Sequence, residues 1–213
     1  MKKMKWNKKK KILVLIPTIF ISLFIGAILI IGVPPIISNP ILEFPIEESS
    51  KIDHLRPYGV SNWSGPGTHH DGIDLVINDT VSIISPVKGT IIGITENKNT
   101  HSENSNVLFG VKILINWGWC VELCLEPNFD GDDEYNNTLQ RNSIKVSILQ
   151  RVNIGDHIAE LLYANDGSHL HYALRKVMGG DVCAYRYSSP LAKSFFDNIS
   201  MGAGFLDDPI CII

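Results

Sequence analysis

Short apolar runs, rich in isoleucine and valine, alternate with turn residues from about residue 51 onward. Each run has the length of a β-strand, and breaks rich in Gly, Asn and Asp separate one run from the next. The runs are GIDLVI, VSIISPV, GTIIGIT, NVLFGVKILIN, WCVELCL, SIKVSILQ, DHIAELLY and HLHYALR. No stretch before residue 188 repeats its apolar positions with the period of a helix. The pattern predicts an all-β domain, an antiparallel β-sheet of sandwich-like form, over residues 51–188.

Two polar-rich segments depart from this strand pattern. In SPLAKSFFDNI, Ser189 is placed to cap a helix and Pro190 occupies its first turn. This predicts a short C-terminal helix within a tail over residues 189–213. Residues 127–143, PNFDGDDEYNNTLQRNS, are polar and acidic and predict a long insertion between two strands.

The N-terminal part of the chain has a different pattern. Residues 1–11 carry seven lysines and no acidic residue, and residues 12–33 carry no charge. As a helix, an apolar segment of this length is long enough to cross the hydrocarbon core of a bilayer, which is about 30 Å thick. Residues 34–50 contain four prolines and predict an extended linker. We therefore expect a single transmembrane helix ahead of the domain.

The lysines also indicate which side of the membrane the domain occupies. A lysine-rich N-terminal tail favours the cytoplasmic side, which places the C-terminal domain outside the cytoplasm of a cell-membrane protein. A cleaved signal peptide is the alternative reading of the same segment. Of the chain's 19 basic residues, seven are these lysines, so 12 remain against 22 acidic residues, a net charge of −10. Such a domain offers no basic surface for nucleic acid.

Four cysteines are available for disulfides if the domain is exported: Cys120, Cys124, Cys183 and Cys211. Cys120 and Cys124 lie four residues apart on one predicted strand, a separation of about 13 Å. That is too far for a direct bond between them. The pairing of the four stays open at this point.

Two clusters of potential metal ligands lie about a hundred residues apart, in GTHHDGIDL and SHLHYALR. On a strand, His169 and His171 project from the same face. Upstream, His70 and Asp74 flank a glycine that lets the backbone turn. A catalytic zinc site takes three protein ligands from nitrogen, sulfur and carboxylate oxygen. His70, Asp74 and one histidine of the pair make such a set.

These motifs resemble a known family, the lysostaphin/LytM-type zinc endopeptidases that cleave peptidoglycan. The resemblance spans roughly residues 55–176 and runs in order through RPYG, HHDGIDL, ISPVKGTIIGI, VNIGDHIAEL and SHLHYALR. It implies a LytM-type peptidase fold with one Zn²⁺ held by His70, Asp74 and His171. It also implies that His169 is a catalytic histidine and that peptidoglycan peptides are the substrate. The expected function is membrane-anchored hydrolysis of cell-wall peptide bonds.

One family position differs in this chain. Active members usually carry a further histidine in a segment resembling Tyr-x-His-Leu, where this chain has WCVELCLEPN with Cys124 at the aligned position. Glu126 or Glu122 is one replacement, because a carboxylate near zinc can act as a general base. Cys124 is another, as a thiolate that closes a structural zinc site.

A third interpretation of the missing histidine is the loss of hydrolysis. The domain then binds cell-wall peptide or regulates another wall hydrolase, with a regulatory protein as a possible partner. His69 and Asp71 match no family position, although Asp71 is a candidate hydrogen-bond partner for a ligand. His101 and His157 are the remaining candidates for the role of the missing histidine.

Overall fold

The structure is a computed structural model that describes residues 38–59, 68–99, 107–129, 133–205 and 209–212, with three single positions at 17, 26 and 32. Apart from those positions, the predicted basic tail, the predicted anchor over residues 12–33 and the start of the predicted linker lie outside the described residues. Within the described part of the chain, no helix is long and apolar enough to cross a membrane.

Ten strands and two α-helices make up the described domain. The strands are β1 (Ile52–Arg56), β2 (Ile73–Ile77), β3 (Val81–Ile84), β4 (Gly89–Lys98), β5 (Val107–Asn116), β6 (Trp119–Glu126), β7 (Arg151–Val152), β8 (His157–Leu161), β9 (His169–Lys176) and β10 (Asp181–Val182). The helices are α1 (Glu134–Ser143) and α2 (Pro190–Asp197), and 3-10 turns cover Ser49–Lys51 and Ala184–Tyr187. The prediction of a mostly antiparallel β domain with few helices is confirmed.

One large sheet carries most of the architecture. Its order is β1-β2-β9-β6-β5-β4-β7, and β10 also pairs with β9, while β3 and β8 form a separate two-stranded sheet. Every strand pair is antiparallel. On β6 the side chains of Val121, Leu123 and Leu125 are fully buried in the core, whereas the alternate residues point to the other face. The candidate site residues of β6 therefore lie on the sheet face opposite the core.

The predicted C-terminal helix is confirmed as α2. The Ser189 hydroxyl accepts a hydrogen bond from the Ala192 backbone N–H at 3.0 Å, and Pro190 begins the helix. Phe196 is fully buried and packs edge-on against Phe44. A disulfide joins Cys183 to Cys211 and ties the C-terminal tail to the domain, whereas Cys120 and Cys124 are free thiols.

Helix α1 lies within the predicted insertion over residues 127–143, between β6 and β7, where the sequence pattern predicts no helix. The Asp133 side chain caps its first turn by accepting a hydrogen bond from the Tyr135 N–H. The buried face of α1 is polar, because Asn137, Gln140 and Ser143 point inward. Gln140 donates to the Glu160 carbonyl and accepts from the Leu162 N–H. A helix that buries polar side chains has no apolar periodicity for the sequence to reveal.

Two other predictions differ from the structure. SIKVSILQ, at residues 143–150, is not a strand but leads into a turn closed by the Gln150 N–H and the Ser147 carbonyl. Val146 is buried in the core, but Ile148 and Leu149 are exposed in the turn. The predicted linker over residues 34–50 is also wrong in its second half. Side chains of this segment are buried in the core, namely Leu42, Phe44 and Ile46. The domain therefore begins before residue 51.

Candidate metal centre

Strand register sets the candidate ligands side by side. Asp74 on β2 pairs with His171 on β9, and His171 in turn pairs with Cys124 on β6. Arg56 on β1 continues the same row, since it pairs with Asp74. Because directly paired residues point to the same face of a sheet, the four side chains line one surface.

His70 reaches this row from the loop ahead of β2. Its Nδ1–H donates to the Pro57 carbonyl oxygen at 2.6 Å, which leaves Nε2 facing Asp74 Oδ1 at 3.0 Å. Gly72 is needed for this approach, because a Cβ built there would lie 2.6 Å from the His171 ring. The glycine between His70 and Asp74 thus provides space for the third candidate ligand.

The three predicted ligands form one compact group. One ligand atom from each of His70, Asp74 and His171 lies within 4.8 Å of the others. Asp74 Oδ1 is the common neighbour, 3.0 Å from His70 Nε2 and 2.9 Å from His171 Nδ1. Burial opposes ionisation of Asp74, but the charge of His169 and hydrogen bonds from the two imidazoles hold the pKa of Asp74 well below its usual value. A buried anion between two imidazoles is suited to a cation.

Asp71 holds the other edge of the His171 ring. Its Oδ1 lies 3.2 Å from His171 Nε2, and Arg175 donates to its second oxygen. Burial lowers the pKa of His171, but the hydrogen bonds to Asp71 and Asp74 outweigh it and raise the pKa to about 10. The metal-free imidazole is therefore protonated at neutral pH, and a cation must displace that proton to bind.

His169 lies beside the three-ligand group and contacts a carboxylate of its own. Its Nδ1–H donates to the Gly167 carbonyl oxygen at 2.6 Å. This leaves Nε2 at 3.2 Å from Glu126 Oε2 and 3.6 Å from Asp74 Oδ2. Burial lowers the pKa of His169, yet the net effect of Asp74 and Glu126 is to raise it. The structure therefore brings together His169 and Glu126, two of the predicted catalytic residues.

Glu122, the other predicted carboxylate, lines the same cleft but is engaged elsewhere. Its Oε2 accepts from Arg175 Nε at 2.9 Å, and its Oε1 lies 3.3 Å from Lys112 Nζ. A chain of ion pairs thus begins at His171 and crosses from β6 to β5. It runs through Asp71, Arg175, Glu122 and Lys112. These ion pairs suit Glu122 to holding the candidate ligand His171 in place rather than to transferring a proton.

Cys124 lies between these carboxylates as a neutral thiol. Burial, followed by the charges of Glu126 and Glu122, raises the pKa of Cys124 well above its usual value. Among the described residues, the group of ligand atoms within 4.8 Å of one another does not include its sulfur. Cys124 therefore lies outside the candidate ligand group.

The site opens into a cleft of about 860 Å³. Sequence reasoning missed Arg56, Arg175 and Asp181 among its lining residues. Alternation along β9 is a signal for Arg175, because it lies on the same face as His171 four residues earlier.

The other histidines lie at the rim of the cleft or away from it. His69 lies at the rim, 3.0 Å from Asp181 Oδ2. His157 lies on β8 and contacts Glu160, away from the cleft, and His101 lies outside the described residues.

Comparisons with known proteins find similarity only among solved structures. No family model matches the chain, and a search of curated proteins finds no match. Helicobacter pylori Csd3 is 15% identical, with a TM-score of 0.45 over 75% of this chain and 38% of that one. A zinc-containing peptidase from Vibrio cholerae is 14% identical, with a TM-score of 0.43 over 68% of this chain and 39% of that one.

A third similar structure is that of a much shorter chain. It is the catalytic domain of a mutant of the prophage-encoded M23 protein EnpA from Enterococcus faecalis. That domain is 16% identical, with a TM-score of 0.41 over 72% of this chain and 95% of that one. In contrast, this chain spans less than half the length of Csd3 and of the Vibrio peptidase. At these identities and TM-scores, the similarity does not assign an activity.

Proposed function

We propose that this protein is a zinc-dependent endopeptidase that hydrolyses peptide bonds of cell-wall peptidoglycan. We further propose that residues 12–33 anchor it in the cell membrane, with the domain on the extracytoplasmic side. The observation that carries the proposal is the grouping of His70, Asp74 and His171 within 4.8 Å, next to the contact between His169 and Glu126.

The donor set fits zinc. Two imidazole nitrogens and one carboxylate oxygen are a ligand set used by catalytic zinc sites. The remaining ring nitrogens also have partners typical of zinc ligands, a backbone carbonyl for His70 and the Asp71 carboxylate for His171. Zn²⁺ bound here supplies Lewis-acid polarisation of a carbonyl and acidification of water. His70, Asp74 and His171 are the residues that would hold it.

In this proposal His169 transfers the proton and Glu126 supports it. Because the Nδ1–H of His169 is fixed by the Gly167 carbonyl, Nε2 is the atom that accepts a proton from water in the cleft and delivers it to the leaving amine. Glu126, 3.2 Å away, stabilises the imidazolium formed between these two transfers. We assign the carboxylate role to Glu126 rather than Glu122, whose oxygens contact Arg175 and Lys112.

A domain that has lost hydrolysis is the second candidate function. A neutral thiol at Cys124, hydrogen-bonded toward Glu126, favours it, because a thiol cannot supply the charge that an imidazole offers a transition state. Such a domain would bind wall peptide or regulate another wall hydrolase.

The test uses the full chain in detergent, loaded with zinc and incubated with purified peptidoglycan. The measurement is the release of new amino groups. His171→Ala and a chelated sample should both abolish release, and His157→Ala, on β8 outside the cleft, should retain it. Absence of release from the zinc-loaded wild type, with zinc content verified, would reject the peptidase and favour the binding module.

A further inference from the structure

Two turns at one end of the large sheet expose apolar side chains. We call them the end turns: residues 116–119, between β5 and β6, and residues 177–180, between β9 and β10. The Val177 N–H donates to the Gly118 carbonyl at 3.0 Å, so the two turns are in direct contact. Trp117 is 38% exposed, Val177 49% and Met178 99%. Neither turn contains an acidic residue.

The chain reaches the domain at the same end. Asn116 Nδ2 donates to the Ser38 carbonyl oxygen at 3.0 Å, which places Ser38 beside the first end turn. Val33, the last residue of the apolar segment, is five residues before Ser38. Five extended residues span at most about 17 Å. The end turns therefore lie within about that distance of the apolar segment's end.

Positive charge accompanies the exposed apolar groups. Lys88, Arg151 and Lys176 are exposed. Lys176 pairs with Trp119 at the base of the end turns, and Lys88 immediately precedes the first residue of β4 at this end of the sheet. Gly32 lies against the Arg151 guanidinium on the edge strand β7. Aromatic and apolar side chains with neighbouring lysine and arginine are suited to the interface of an anionic bilayer.

We infer that the end turns contact the membrane, with Trp117, Val177 and Met178 in its interfacial layer. This rests on the proposed function, specifically on residues 12–33 spanning the bilayer. The inference sets the orientation of the domain. His171 pairs with Cys124, five residues along β6 from Trp119, so the metal centre lies about 17 Å along the strand from the base of the turns, on the side away from the bilayer. Substrate would then be peptide held close to the membrane surface.

The experiment uses the full chain reconstituted into vesicles of phosphatidylcholine and phosphatidylglycerol at a ratio of about 3:1, with anionic lipid included to match the basic end. A photoreactive p-benzoylphenylalanine replaces Met178 in one variant and Tyr135 in the control. Tyr135, on α1, is 70% exposed, so both probes are accessible. After irradiation, lipid adducts are counted by mass spectrometry. We expect several-fold more lipid adduct at position 178 than at position 135.

Two outcomes would overturn the inference, and they differ in what else they overturn. Equal adduct at both positions, in chain that resists extraction by alkaline carbonate, rejects the contact but leaves the anchor intact. Chain that carbonate extracts has no spanning anchor, which rejects the proposed membrane attachment and the contact with it. Neither outcome bears on zinc-dependent hydrolysis, which is measured in detergent.

Discussion

Glu126 and His169 are paired residues on adjacent strands, and the Glu126 carboxylate lies 3.2 Å from His169 Nε2. Their contact does not depend on a loop, because the register of β6 and β9 fixes it. In our proposal, this pair carries the proton transfer. The proposed zinc ligands next to it are His171 on β9 itself, Asp74 on the neighbouring strand β2, and His70 in the loop before β2.

Replacing Glu126 tests the pair directly. We expect Glu126→Gln to lower kcat by about 10²–10³, because it removes the charge that stabilises the His169 imidazolium, and general acid–base catalysis typically contributes 10²–10⁴. Zinc content should stay at the wild-type level, since Glu126 is not in the three-ligand group. Peptide-release kinetics measure kcat, and metal analysis measures zinc content. The matched control is Glu134→Gln, on the exposed side of α1. An unchanged kcat in Glu126→Gln would remove this residue from the mechanism.

Asp71 is predicted to position His171 for the metal. We expect Asp71→Asn to weaken zinc binding by roughly 10–100-fold, the usual cost of removing a partner of a metal ligand. Competition with a chromogenic chelator measures the affinity without any need for turnover. Asp79→Asn changes an aspartate that contacts Lys51 instead, and should bind zinc like the wild type. Wild-type affinity in Asp71→Asn would show that His171 needs no such support.

Cys124 separates a catalytic site from a closed structural one. Because burial and two carboxylates keep its thiol protonated, we expect Cys124→Ala to leave zinc affinity unchanged. The same chelator competition applies, with His171→Ala as the reference for losing a ligand. A loss in Cys124→Ala as large as that in His171→Ala would identify the thiolate as a ligand, and the proposed open site would be wrong.

The segment before residue 51 is predicted to be part of the stable domain. Phe44 is buried against Phe196, so Phe44→Ala should lower the free energy of unfolding by about 3–5 kcal/mol. The neighbouring Ile41 is exposed, and Ile41→Ala should change it by about 0.5 kcal/mol or less. Urea unfolding of both variants decides this. Equal free energies of unfolding for the two variants would mean that the segment packs only loosely.

Tyr58 gives the stability a dependence on alkaline pH. Burial and the hydrogen bond to Asp181 raise the pKa of Tyr58 to about 12. A folded-state pKa above the unfolded value of about 10 stabilises the fold below pH 10, and this contribution is lost as the pH rises from about 10 to about 12. The difference in Tm between wild type and Tyr58→Phe should therefore narrow above pH 10. Tyr135→Phe is the control, and a difference that stays constant would contradict the assignment.

The sequence predicts strands well wherever one face is apolar, as on β6 and β9. It fails where burial and polarity do not coincide. Helix α1 buries Asn137, Gln140 and Ser143, while the apolar Ile148 and Leu149 lie in an exposed turn. Prolines in residues 34–50 suggest a spacer, although the apolar side chains between them reach the core.

The candidate site, too, could be predicted only in part. Motif spacing predicts that His70 and Asp74 lie near one histidine of the pair, and the structure brings them together, whereas the choice of His171 as ligand rests on the resemblance. The choice between Glu122 and Glu126 could not be predicted, because both carboxylates occupy the same face of β6. Only the partners distinguish them: Arg175 and Lys112 for the first, His169 for the second.

The row from Arg56 through Asp74 and His171 to Cys124 has a consequence for how this chain can change over generations. A single residue gained or lost within β2, β6 or β9 would turn the following side chains to the opposite face, and ligands would exchange places with core residues. Changes of length in the segments between strands carry no such penalty. Variation in size should therefore accumulate around residues 99–107 and 127–133, while the spacing inside the three strands stays fixed.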